Sequence, residues 1–167
     1  MEFSNLIHAR QSVRAYQPTP VPEDKLQALL EAANRAPSAG NFQAFEIYIV
    51  SDPKQRQALA AATFDQKFVE QAPLSLVFCM HPARCQYQPP ELYALQDTTI
   101  ACTFAMLKVT DLGLASCWVG AFAAEKLARA LALPKHVTPV AVLAIGYAAE
   151  APERTSRRAL PELAHKL

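Results

Sequence analysis

Glycine is scarce in this chain, with four residues in 167, where average usage near ~7% would supply about three times as many. Such sparing use implies that the retained positions need positive φ or close backbone approach. They are Gly40 in Pro37-Ser38-Ala39-Gly40-Asn41, Gly113 after a long helical run, Gly120 in Cys117-Trp118-Val119-Gly120, and Gly146 in Ile145-Gly146-Tyr147. Net charge is also nearly absent, at +1, which removes any global attraction to nucleic acid or an anionic membrane. No apolar run reaches the ~20 residues of a transmembrane helix. The start, Met1-Glu2-Phe3-Ser4-Asn5, has no basic segment followed by an apolar one, so no signal peptide is expected. Cys79, Cys85, Cys102 and Cys117 show no Cys-x-x-Cys spacing and no paired histidines nearby. They read as reduced, mostly buried thiols of a cytoplasmic protein, with no metal site expected. A Gly-x-Gly-x-x-Gly fingerprint is missing too, which argues against a dinucleotide-binding turn.

What is present is apolar: 51% of residues are hydrophobic, enough for one domain with a sizeable core. Phe3, Leu6, Ile7 and Arg10 share a helical face, so a helix is expected to end near Ala9. Pro18, Pro20 and Pro22 punctuate an extended link. A helix follows from about Glu23, with acids at its positive end and Leu26, Leu29, Leu30 and Ala33 as its stripe. Phe45 to Val50 reads as a strand ended by Asp52-Pro53, and Pro53 to Thr63 as a helix. Leu74 to Met80, bounded by Pro73 and Pro82, reads as a central strand. Residues 82–90 lack periodicity and read as a loop. From about Glu91 to Leu112 comes the longest helix, where Ala94, Ile100, Ala101, Ala105 and Leu112 suggest burial on more than one side. Ala124 to Leu131 is a short helix and Val140 to Tyr147 a buried strand. The tail, residues 148–167, is polar and basic, with no core pattern to pack on its own subunit.

Four segments offer chemistry. Arg10-Gln11-Ser12-Val13-Arg14 combines planar guanidinium forks with a hydroxyl, a donor set suited to phosphate; a solvated turn is the plainer alternative. Pro37-Ser38-Ala39-Gly40-Asn41-Phe42-Gln43 carries polar groups that could match the edge of a pyrimidine-like ring, or could bond their own backbone in a turn. Gly113 to Phe122 is apolar and carries Gly120, where a backbone N–H could approach a flat ligand; taken alone, the segment reads more readily as a buried strand with a core Trp118. Arg154-Thr155-Ser156-Arg157-Arg158 could close on the same phosphate as Arg10, or remain a solvated basic end.

In this order and spacing, the segments resemble the nitroreductase family of FMN flavoproteins. Arg10-Gln11-Ser12 matches its opening Arg-(Arg)-Ser, and Pro37 to Phe45 its Pro-Ser-x-x-Asn-x-Gln-Pro-Trp loop. Ala72-Pro73 matches its Ala-Pro before a strand. Gln96 to Gly120 matches its long helix leading to Gly-Leu-x-Ser-Cys-Trp-Ile-Gly, and Gly146-Tyr147 with Arg157-Arg158 its Gly-Tyr and downstream Arg. Departures are Ala44-Phe45 for Pro-Trp, Gln11 for the second Arg, and Asp65-Gln66-Lys67 where an Asn-containing turn is usual. No binding role is assigned to Asp65.

The resemblance implies an α+β fold: a central mixed, mainly antiparallel sheet flanked by helices, in an intertwined homodimer. Residues 1–167 would form one FMN-binding domain, with tail 148–167 crossing to the partner subunit. It further implies FMN at the dimer interface and NADH or NADPH as electron donor. The acceptor would be a small electron-poor molecule, and the cycle ping-pong. Arg10, Gln11, Ser12, Arg157 or Arg158 would hold the phosphate. Pro37, Ser38, Ala39, Asn41 and Gln43 would line the ribityl chain or ring edge, with the Val119 and Gly120 backbone beside N5. No side chain stands out as acid, base or nucleophile, so no catalytic residue is named. Nucleic-acid and membrane partners are not expected. A non-catalytic FMN carrier, sensor or partner-binding module is the alternative, distinguished by whether Phe42, Phe122 and residues 82–95 leave a gap for nicotinamide.

Overall fold

The computed structural model, which describes residues 1–166, runs α1 (Phe3–Ala9), α2 (Glu23–Asn34), β1 (Phe45–Val50), α3 (Pro53–Ala62), α4 (Lys67–Gln71), β2 (Leu74–Met80), α5 (Pro90–Asp111), β3 (Ala115–Val119), α6 (Ala124–Ala130) and β4 (Thr138–Gly146). Asp52-Pro53 both stops β1 and starts α3: the Asp52 carboxylate accepts from Lys54 N at 3.0 Å and Gln55 N at 3.1 Å. That satisfies two orphan donors of the first turn, while proline takes a position needing no donor. Residues 82–90 contain a short 3₁₀ turn at Pro82–Arg84, and Pro90 already belongs to α5. The five-residue α4 is too short to show a helical period in the sequence.

The strands stand in the order β1-β2-β4-β3, with every neighbouring pair antiparallel. The expected mixed character is confined to an isolated parallel bridge between Ser12 and Ser116. Because side chains alternate along a strand, β2 and β4 serve two cores. Leu74, Leu76 and Phe78 with Ala141, Leu143 and Ile145 face Leu29 and Ala33 of α2 and the buried stripe of α5. Val77 and Cys79 with Val142 and Ala144 face α3, α4 and α6 through Leu59, Val69 and Leu127. The sheet is therefore covered on both sides, and β2 is buried along nearly its whole length. Full burial of each large aliphatic or aromatic side chain here contributes about 1.5–3 kcal/mol. Gly146 admits no side chain: a Cβ would meet Pro73 Cδ at 2.7 Å. The four cysteines are free and buried.

Helix α5 corrects one expectation. Its buried residues, Ala94, Asp97, Thr98, Ala101, Cys102, Ala105 and Val109, form one stripe at helical spacing rather than several. The opposite face leaves Leu92, Leu95 and Phe104 exposed. Beside it, Met1, Phe3, Leu6, Ala32, Phe104 and Leu107 line an apolar hollow of about 420 Å³. Apolarity on the second side of α5 is thus real, but among the described residues nothing buries Leu92, Leu95 or Phe104.

Candidate functional site

The segment after α1 is held in a slot between the sheet and the start of the tail. Val13 N donates to Ser116 O at 3.0 Å, fixing the segment along β3. The buried Tyr16 hydroxyl lies 2.7 Å from Val13 O and 3.1 Å from Ala144 O. Burial pushes that phenol well above its ordinary pKa, so it stays protonated as a donor. On the other side, Ala149 N donates to Ala15 O at 2.9 Å and the Gln17 amide to Ala148 O at 2.9 Å. Arg14 N donates to the Glu150 carboxylate. The tail therefore does find a place on its own subunit, at residues 148–150, contrary to the expectation from its composition.

This double pairing brings the two basic segments together. Arg10, Gln11, Ser12 and Arg14 face Arg154 and Arg157 across a cavity of about 360 Å³. Glu153 is the one carboxylate in its wall, and none of the four arginines forms an ion pair among the described residues. The cavity is therefore electropositive and rich in unspent donors. Arg157 Nη1 donates to Thr155 Oγ at 3.2 Å, which orients its guanidinium. Arg158 is exposed and lies outside this wall. Arg14 and Arg154, not named as site residues from the sequence, lie inside it.

The loop at 37–43 sits elsewhere. Ala39–Asn41 form a 3₁₀ turn in which Gly40 has φ +54°, and a Cβ there would lie 2.7 Å from the Phe42 ring. Asn41 and Gln43 also hold positive φ, at 56° and 48°, a costly geometry that must be fixed by its surroundings. The fixing group is Asp97 of α5, 1% exposed. Its carboxylate accepts from Ala39 N at 2.8 Å and Ala44 N at 3.3 Å. Sequence reading missed Asp97 because a lone acid in a long helix reads as a solvated position. Ser38 Oγ accepts from Gln43 N at 3.1 Å, and the Gln43 amide donates to Asn34 Oδ1 at 3.2 Å. Two of the three polar side chains thus stabilise the turn itself. Asn41 is exposed; its backbone N–H donates to Ser38 O at 3.1 Å, and its side-chain carboxamide has no hydrogen bond among the described residues. Pro37 is exposed, Ser38 and Ala39 half-buried, and none of the loop lies in the arginine cavity of its own chain.

Val119 ends β3, buried and paired with Val142. Gly120 follows, exposed; a Cβ there would meet nothing closer than Trp118 Nε1 at 3.7 Å. Among the described residues, then, nothing demands glycine at position 120. Beside it, the Gln66 amide donates to Thr63 O at 2.8 Å and Ala121 O at 3.3 Å, tying the 63–67 turn to the segment after β3. Phe42 stacks edge-on with Tyr87, centroids 5.3 Å apart, whereas Phe122 packs on the other face of the sheet. The two phenylalanines are not brought together within one subunit.

A sequence model of the nitroreductase family matches residues 7–147. Among similar curated proteins, an NADH dehydrogenase of Thermus thermophilus is 33% identical, with 84% of each chain covered. An FMN reductase [NAD(P)H] of Bacillus subtilis is 28% identical over 83% of this chain and 63% of its own length. Among solved structures, a nitroreductase from Bacillus subtilis superposes with a TM-score of 0.93 at 23% identity, covering 98% of this chain and 73% of the other.

Proposed function

Since the chain belongs to the nitroreductase family, we propose that it is an FMN-dependent oxidoreductase that draws electrons from NADH or NADPH and delivers them to a small electron-poor acceptor. The observation that carries this reading is the electropositive cavity. Two basic segments more than a hundred residues apart converge there, with four arginines against one carboxylate. Such a wall fits a phosphomonoester: guanidinium forks take paired oxygens and the Ser12 hydroxyl takes a third. Arg10, Gln11, Ser12 and Arg157 hold the phosphate in this proposal, joined by Arg14 and Arg154, while Arg158 drops out.

Ser12 is bridged to Ser116, and Gly120 lies four residues further along the same direction. At about 3.4 Å per residue that is roughly 14 Å, a span suited to a ribityl chain and part of a flat ring. The exposed Gly120 backbone then lies against the ring with no side chain in the way. Bound there, FMN supplies two-electron transfer from a nicotinamide; the protein supplies the binding, orientation and exclusion of water.

Loop 37–43 lies outside the cavity of its own chain, so Pro37, Ser38, Ala39, Asn41 and Gln43 act at a second subunit's site in this reading. The exposed apolar face of α5 and the adjoining hollow form the homodimer contact, and residues 159–166 extend toward the partner. Donor and acceptor use the same ring face in turn, in a ping-pong cycle. The test is mass spectrometry of the released cofactor, followed by anaerobic addition of NADH or NADPH. FMN at one equivalent with bleaching of the flavin band is expected. A protein that binds FMN but is never bleached is the carrier or sensor; one that ignores FMN overturns the reading.

A further inference from the structure

At the β1 edge of the sheet, opposite the β3 edge, three side chains distant in sequence converge through strand register. Glu46 of β1 pairs with Cys79 of β2, so Glu46 lies beside the residue following β2, His81. Met80 pairs with Thr138, which brings the segment before β4, with His136, to the same place. Glu46 Oε1 lies 2.9 Å from His81 Nδ1 and 3.4 Å from His136 Nε2, and the three atoms fall within 4.8 Å of one another. The two imidazole centroids are 4.5 Å apart.

Two features separate this cluster from an ordinary surface ion pair. His81 Nδ1 is buried yet makes no hydrogen bond: its 2.9 Å approach to Glu46 falls outside hydrogen-bond geometry. A buried ring nitrogen in that state is destabilising, and it lies within 4.8 Å of the other two candidate ligand atoms. Second, the other Glu46 oxygen is already occupied, Oε2 accepting from the Tyr48 hydroxyl at 2.7 Å. A carboxylate oriented through one oxygen, with the other turned toward the two imidazoles (His136 Nε2 at 3.4 Å), is an arrangement that supports metal ligation. The Tyr48 hydrogen bond, with the two histidines, also holds Glu46 below the usual carboxylate range.

We propose that Glu46 Oε1, His81 Nδ1 and His136 Nε2 form a three-ligand site for a divalent ion of the zinc class, with water at the fourth position. Two imidazoles and a carboxylate suit Zn²⁺, Ni²⁺ or Co²⁺ over Mg²⁺ or Ca²⁺. Tetrahedral bonds of about 2.0–2.1 Å require ligand atoms about 3.3 Å apart. The present separations bracket that value, and His136, half exposed, has room to close the third edge. Cys79, the register partner of Glu46, is not a ligand: burial pushes its thiol up to about 12. The bound ion clips the outer strand β1 to the segments flanking β2 and β4. The site shares no residue with the arginine cavity, and the inference does not depend on the flavin reading.

The experiment is calorimetric titration of ZnCl₂ into the full-length protein as purified and stripped with EDTA, with Co²⁺ absorbance as the geometric readout. One equivalent per chain is expected, with a four-coordinate Co²⁺ spectrum and a rise in Tm on adding Zn²⁺. Glu46→Gln and His136→Ala, isosteric and surface changes that leave the fold intact, should weaken binding by more than about 100-fold and abolish the Tm rise. Tyr48→Phe should weaken it by about tenfold, as removal of a group orienting a ligating carboxylate does. No one-equivalent binding to the wild type, or binding undiminished in both Glu46→Gln and His136→Ala, would overturn the proposal.

Discussion

Replacing Asp97 by Asn keeps the shape of the side chain and removes its charge and one acceptor. In the wild type both carboxylate oxygens are used, by Ala39 N at 2.8 Å and Ala44 N at 3.3 Å. An Asn oxygen can accept from one of these; its NH₂ must then face the other N–H, donor against donor. Ala44 is fully buried, so that N–H cannot turn to water. The orphaned donor costs about 1–3 kcal/mol, and loss of charge assistance on the surviving bond adds about 1 kcal/mol. A destabilisation of about 2–4 kcal/mol follows, or roughly 5–15 °C in Tm for a domain of this size. The effect should not stop at stability. Gly40, Asn41 and Gln43 hold positive φ only while the loop is clamped, so flavin affinity should fall with it. Urea and thermal melts with and without FMN measure both. An Asp97→Asn protein within about 0.5 kcal/mol of wild type, below the range for a lost buried partner, would refute the claim that this carboxylate holds the loop.

Gly120→Ala should leave Tm unchanged, because its Cβ meets only an ordinary contact at 3.7 Å, yet it should weaken flavin binding measurably by fluorescence titration; loss of stability instead would show an intrachain reason for the glycine. Arg10→Ala should raise the FMN dissociation constant about tenfold or more, the worth of a hydrogen bond to a charged group, whereas Arg158→Ala should change it less than about twofold; equal effects would remove the arginine cavity from the argument. The Lys108 ammonium at 2.8 Å, and then the terminal amine, lower Asp111 to about 2. Its stabilisation is therefore present above the ordinary value of 3.8 and lost as pH falls toward about 2. The pair is partly exposed, so the amount is at most about 1 kcal/mol; Lys108→Met should flatten Tm against pH in that window.

The elements were legible where the sequence carries a period or a stop. Leu74–Met80 was readable as an unbroken apolar run between prolines, α2 from its leucine stripe, and the β1–α3 junction from Asp52-Pro53. Strand β3 was ambiguous because five residues with Trp118 and Cys117 suit a strand and a ligand-lined segment alike. What stayed hidden depends on tertiary placement. The slot for residues 12–16 forms only when β3 and residues 148–149 flank it, so no local pattern announces that the tail closes on Arg10. Asp97 is polar in a helix, and only the returning loop makes it buried. Glu46, His81 and His136 carry no motif spacing; the pairing of three strands assembles them.

Strand β1 is the outer strand of the sheet on one side, whereas β3 on the other side is shielded by the segment carrying Ser12 and Val13. An uncovered edge is a template for joining foreign chains, and proteins blunt it with short strands and charge. Here β1 is six residues long and carries Glu46, while Ile49 near its end is 45% exposed. Stripping the charge at position 46 would therefore do more than remove a ligand or an ion pair. It would leave residues 45–50 as a neutral β-prone stretch on an open border, where the consequence to watch is slow, concentration-dependent association rather than any change in the folded monomer.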